Sequence, residues 1–267
     1  MRRHIGFTLI ELIISIVILG IIAGVISVII ARPIQGYVDA TRRAQLTDMA
    51  DLTLKRMVLE LRTAIPNSVQ PVGNSVSNYI EFIPTVDAGR YCSDTDTCTN
   101  KLTHFGSGSS TAIQFDVLGP APSGLNNGDQ LIIYNTGQDG LNAYDDDNCA
   151  TLTSTSPSSL LGFTDSPFPF PSPSNRFFVA PASGPVRFSC PAGTGTITRT
   201  RGSTDFCGLT LTPTSSSTTL ASAETVVCEF SYNQTSAANG LVTLQLTLGN
   251  AGESVTLTSQ FHVDNIP

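Results

Sequence analysis

Hydrophobic and polar positions divide the chain into three regimes. From Phe7 to Ala31 the residues are almost all apolar, and Glu11 is the sole ionisable side chain among them. A helix of about 25 residues rises roughly 37 Å, enough to cross a bilayer, so this run predicts a membrane-spanning helix. From Gln35 onward the pattern changes. Leu46, Ala50, Leu54, Met57, Leu61 and Ile65 recur at steps of three and four, a helical stripe that should lie against a sheet. Asp39/Arg43 and Asp51/Lys55 are spaced to pair across one turn on other faces. Pro33 removes one helical hydrogen bond and should bend the helix rather than end it. Ala64-Ile65-Pro66-Asn67 should stop it.

Beyond Asn67 the chain turns to Ser, Thr, Gly, Pro and Asn, with short runs of β-formers between turn residues. The strands expected are Tyr79 to Ile83, Ala112 to Leu118, Gln130 to Asn135, Arg176 to Ala180, Val186 to Cys190, Gly208 to Thr212, Thr225 to Tyr232, Leu241 to Leu248 and Ser254 to Val263. The last two alternate cleanly about Gly249-Asn250-Ala251-Gly252 and predict a hairpin with one buried face. Ser154 to Asn175, with Pro167, Pro169, Pro171 and Pro173, predicts an extended, exposed loop. The fold class is therefore α+β: a long, bent N-terminal helix, transmembrane in its first half, packed on an antiparallel β-sheet ectodomain with long loops. Its divisions are residues 1–6, 7–31 as the membrane half, 32–66 as the amphipathic half and 67–267 as the β-rich domain.

Charge adds an exclusion. The chain carries a formal charge of −7, and no basic patch outside the first helix invites nucleic acid. Its six cysteines, Cys92, Cys98, Cys149, Cys190, Cys207 and Cys228, all follow the apolar run, an even set suited to disulfides on the oxidising side of a membrane. Cys92 and Cys98 close so short a loop that they should pair; the other pairings stay open, with Cys149 to Cys190 and Cys207 to Cys228 the preferred choice. Zinc would want a close Cys-x-x-Cys pair, which is absent.

Candidate chemistry is sparse. Asp139 to Asn148 concentrates oxygen atoms in a loop, so Asp145, Asp146 and Asp147 are calcium candidates. The spacing lacks the glycine and distal glutamate of an EF-hand, a solvated acidic turn is the preferred reading, and no cofactor is expected. His104 and His262 are the histidines beyond the apolar run, with neither a Gly-x-Ser-x-Gly elbow nor a His-Glu-x-x-His motif, so no catalytic residue is assigned and no enzyme is expected.

Glu11 is costly for a plain anchor, because a carboxylate at membrane depth costs about 2.5–3.5 kcal/mol. The small residue Gly6 also precedes the apolar run, where a secretory signal would place its cleavage site after it. Arg2-Arg3-His4-Ile5-Gly6 followed by Phe7-Thr8-Leu9-Ile10-Glu11 resembles the signal of type IV prepilins and pseudopilins. The resemblance implies a leader at residues 1–6, cut after Gly6 on the cytoplasmic side by a prepilin peptidase, and N-methylation of Phe7. It implies that Glu11 pairs with the Phe7 amine of a neighbouring subunit, that other pilins and minor pilins are partners, and that the chain is a single-pass inner-membrane protein with a periplasmic ectodomain. The size and the cysteine-bearing β-domain look like the minor class: J-type pseudopilins of type II secretion, PilW-like minor pilins and the MshO type of the mannose-sensitive haemagglutinin pilus. Gly128 to Asn135 and His262 to Asn265 most resemble the last. A major pilin's membrane-half proline would map to Val28; here the proline comes later, at Pro33. The function expected is a minor subunit that initiates, caps or assembles a pilus, with a J-type pseudopilin and a tip adhesin as alternatives.

Overall fold

The structure is a computed structural model that describes all residues except 1–6, 72, 104, 106–112, 158, 165–167, 203–204, 210–216 and 235–237. Its axis is a single helix, α1 (Leu9–Leu61), 53 residues long and roughly 80 Å from end to end. Thr8 caps it, the Thr8 hydroxyl accepting from the Glu11 N–H at 3.4 Å. The helix runs unbroken through Pro33. It stops at Leu61, about one turn before the expected Ile65, and the chain then turns so that the Ile65 N–H donates to the Ile83 carbonyl at 2.8 Å.

Among the described residues fourteen strands follow: β1 (Gly73–Ser77), β2 (Tyr79–Phe82), β3 (Asp87–Tyr91), β4 (Ile113–Leu118), β5 (Gln130–Ile132), β6 (Cys149–Ser154), β7 (Leu160–Phe163), β8 (Arg176–Ala180), β9 (Val186–Ser189), β10 (Thr196–Arg201), β11 (Thr218–Ser222), β12 (Thr225–Gln234), β13 (Asn239–Asn250) and β14 (Glu253–Asp264). They form two four-stranded antiparallel sheets, β1-β12-β13-β14 and β11-β10-β9-β2, and a closed six-stranded barrel, β3-β4-β7-β6-β5-β8.

The helical stripe meets sheet as its spacing requires. Leu46, Ala50, Leu54, Met57 and Leu61 are buried in one core with Phe82 and Phe188 of one sheet and Phe230, Val242, Leu244, Leu246 and Leu248 of the other. The β13–β14 hairpin closes with Asn250 opposite Glu253, leaving Ala251 and Gly252 at φ 50° and 84°. Two successive positive φ values define a tight turn whose twist matches that of the strands. At this turn Glu253 binds Arg43 of the helix, Nε to Oε2 at 2.5 Å. Arg43 is thus drawn away from Asp39, its expected partner, and Asp39 faces Arg42 at 3.5 Å.

The barrel is an insertion. β2 and β9 are direct antiparallel neighbours, with Ile80 opposite Phe188, and every barrel strand lies between them in sequence. The barrel has its own core, in which Phe115 lies 5.3 Å from Phe177 and 5.9 Å from Phe163, centroid to centroid. Gly89, opposite Phe177, leaves that ring room to cross β3: a Cβ at Gly89 would come within 2.7 Å of it.

Three expectations need correction. Ser154 to Asn175 is no plain exposed loop: it contains β7, and its Phe168 and Ser172 are buried because the barrel closes over them. Gly208 does not open a strand; it sits in a turn where the Phe206 and Leu209 backbones bond to each other, and residues 210–212 lie outside the described residues. Cys92 joins Cys98, but Cys149 joins Cys207 and Cys190 joins Cys228, in place of the expected Cys149–Cys190 and Cys207–Cys228 pairs. The reason is the insertion. Cys190 and Cys228 belong to the helix-packed core, whereas Cys149 and Cys207 share a separate small core with Ile65, Ile83, Ile132 and Phe206 at the root of the barrel.

Candidate functional site: the amino-terminal half of the helix

The first half of α1 has no fold to serve. From Leu9 to Ser27 the mean hydropathy is 2.9 and nothing is buried, so the described residues include one helix long and apolar enough to cross a membrane. Phe7 is 78% exposed at its start. Gly6 and the basic residues before it lie outside the described residues.

Glu11 is the third residue of the helix, counted from its Thr8 cap. Thr-x-x-Glu is the spacing of a capping box, and an acid in the first turn is favoured by the unsatisfied N–H groups there. Local structure therefore gives Glu11 one reason to be acidic, and the sequence signal for it is Thr8, three positions earlier. The cap leaves the carboxylate outward, however, and among the described residues it has no ion-pair partner.

The acidic loop is built differently. Asn142 Nδ2 donates to Asp145 Oδ2 at 2.6 Å, and the Tyr144 hydroxyl donates to the Ser68 carbonyl at 2.9 Å, pinning the loop to the segment that follows the helix. Burial, then the charge of Asp147, pushes the Asp146 carboxyl above the usual range. Among the described residues no group of three or more His, Cys, Asp or Glu side chains is placed to hold a metal ion. His262 is exposed on β14, and His104 lies outside the described residues.

A polar junction escaped sequence reading. The Asn135 side chain donates to the Pro66 carbonyl at 2.7 Å and accepts from the Ala143 N–H at 3.0 Å. Asn265 donates to the Tyr232 hydroxyl at 2.7 Å. Asn67 binds the backbone carbonyls of both, at 2.9 and 3.0 Å. The stretches ending in Asn135 and Asn265 therefore meet where helix, barrel and carboxyl terminus join.

Residues 1–27 match a known family, the prokaryotic N-terminal methylation motif. The chain carries a pilin-type amino terminus. That motif supports membership of the type IV pilins and pseudopilins, a structural rather than enzymatic family, and implies assembly with other pilins and processing by a prepilin peptidase. With the exposed apolar helix, it fits a single-pass membrane-anchored protein. Neither a curated protein nor a solved structure matched the chain.

Proposed function

We propose that this chain is a minor pilin-like subunit that sits in the bacterial inner membrane, ectodomain in the periplasm, and helps initiate, cap or assemble a pilus of the mannose-sensitive haemagglutinin type. Cleavage after Gly6 frees Phe7 for methylation, and the Glu11 carboxylate pairs with the Phe7 amine of a neighbour. The carrying observation is one continuous helix with two environments: an unburied apolar half bearing the methylation motif, and an amphipathic half built into the domain's core. An anchor alone needs no rigid joint between the two.

Glu11→Ala tests the pairing, with Thr8→Ala as control because it removes the cap and keeps the carboxylate. Glu11→Ala should leave the protein in the membrane but abolish co-purification of neighbouring pilins, while Thr8→Ala retains it. Unchanged assembly in Glu11→Ala defeats the pairing.

The inserted barrel favours a second reading, that the subunit also contacts a surface ligand at a filament tip. A closed module hung between β2 and β9 adds nothing to the helix-packed core. Replacing residues 84–184 by a short glycine linker, with Cys207→Ser, should then keep filaments and remove adhesion.

A further inference from the structure

We infer that the cleft between the end of α1 and the outer face of β3 and β8 binds a carboxylate-bearing saccharide. The cleft holds about 660 Å³, within the range of roughly 300–1,000 Å³ usual for small-ligand sites. Three arginines line it, Arg62, Arg90 and Arg176, in a chain of net negative charge.

Their placement is unusual for a sheet. Arg90 and Arg176 lie directly opposite each other on β3 and β8. Like charges in that position repel and destabilise a strand pair, a cost that an anion between them would offset, and Asp96 lies close enough to Arg90 to feel its charge. The two acids of the cleft are turned to local work. Asp87 accepts from the Ala88 and Ser123 N–H groups at 2.8 and 2.7 Å, and Asp264 from the Ile266 N–H at 3.0 Å. Arg90 Nε donates to the Ser174 carbonyl at 3.3 Å, and Arg62 lies over the Phe261 ring at 5.9 Å. Arg176 has no ion pair among the described residues. Paired planar guanidinium forks suit a carboxylate, held bidentately.

Two features choose a saccharide over a peptide. The half-buried Phe178 ring offers the cleft an apolar wall for the C–H face of a pyranose. The backbones of β3 and β8 are hydrogen-bonded within the closed barrel, so no free strand edge remains there for an extended peptide to join.

The site would give the tip reading its chemistry, yet binding in solution does not depend on filament position. Loss of adhesion without the barrel, together with no saccharide binding, would keep the tip reading and overturn the cleft. The test is calorimetric titration of the detergent-solubilised full chain with D-glucuronic acid, its uncharged methyl ester, inorganic phosphate and a tetraglutamate peptide. Glucuronate should bind, the ester should not, and phosphate and the peptide should bind at least tenfold more weakly. Arg176→Gln, which breaks no ion pair among the described residues, should weaken glucuronate at least tenfold with an unchanged melting curve, and Arg42→Gln should have no effect. Absent glucuronate binding, equal binding of the ester, tighter binding of phosphate or peptide, or full binding by Arg176→Gln overturns the assignment.

Discussion

Asn67 and Asn265, 198 residues apart, hold each other twice: the Asn67 N–H donates to Asn265 Oδ1 at 3.3 Å and Asn67 Nδ2 to the Asn265 carbonyl at 3.0 Å. The contact joins the segment that follows the helix to the last residues of the chain. Asn265 is 1% exposed, so truncation strands buried donors and acceptors, including the Tyr232 hydroxyl. Asn265→Ala should cost about 1–3 kcal/mol and lower the melting temperature by several degrees. An unchanged melting curve would show the junction to be dispensable.

The disulfide pattern fixes the barrel to its root. Mass mapping of unreduced peptides should recover Cys149 with Cys207 and Cys190 with Cys228; peptides joining Cys149 to Cys190 would contradict the topology. Cys149→Ser with Cys207→Ser opens a link across 58 positions, worth about 4 kcal/mol by loop-closure entropy. Denaturant unfolding of the double variant measures the loss.

Acid should loosen the domain through identified carboxylates. Asp116 is held below its usual range by bonds from the Asn100 side chain, then the Asn100 and Thr99 N–H groups; Asp87 by the Ser123 N–H; and Glu253 by Arg43. A depressed native pKa gives stability that is present above the unfolded value, about 4, and is lost as pH falls through the lower native value. Melting temperatures should therefore drop below about pH 4, and the gap between the parent and Asp116→Asn should close there. Asp146, shifted upward by burial, has the opposite sign: Asp146→Asn should stabilise the protein at neutral pH. A gap that stays constant from pH 7 to pH 2 would refute the assignment to Asp116.

Separate cores should fail separately. Phe115→Ala removes the ring at the centre of the barrel, a loss of about 3–5 kcal/mol, and Met57→Ala a loss of about 2–5 kcal/mol in the helix-packed core. Hydrogen exchange should rise in β3 to β8 for the first and in β12 to β14 for the second. Exchange rising through both regions in either variant would mean one cooperative unit.

Sequence periodicity found what is long and regular. The stripe from Leu46 to Leu61 and the β13–β14 hairpin each carry enough turns or alternations to declare their buried face. β3 and β10 do not: Asp-Ala-Gly-Arg-Tyr buries only Tyr91, and Thr-Ile-Thr-Arg-Thr-Arg only Ile197. Such strands are set by their neighbours, and barrel closure by six strands of three to six residues is a non-local property that no single window shows. The cysteine partners followed the barrel out of reach. At the amino terminus the balance reverses: Glu11 stood out at once, since charge in an apolar run needs no tertiary context to be noticed, while the Thr8 cap beside it needed the helix start.

The most direct test is the mass of the amino-terminal peptide of the chain purified from its native membrane. The account predicts a chain lacking Met1 to Gly6 and beginning with N-methylated Phe7. A chain that still begins at Met1, or one cut on the far side of the apolar helix, would contradict it.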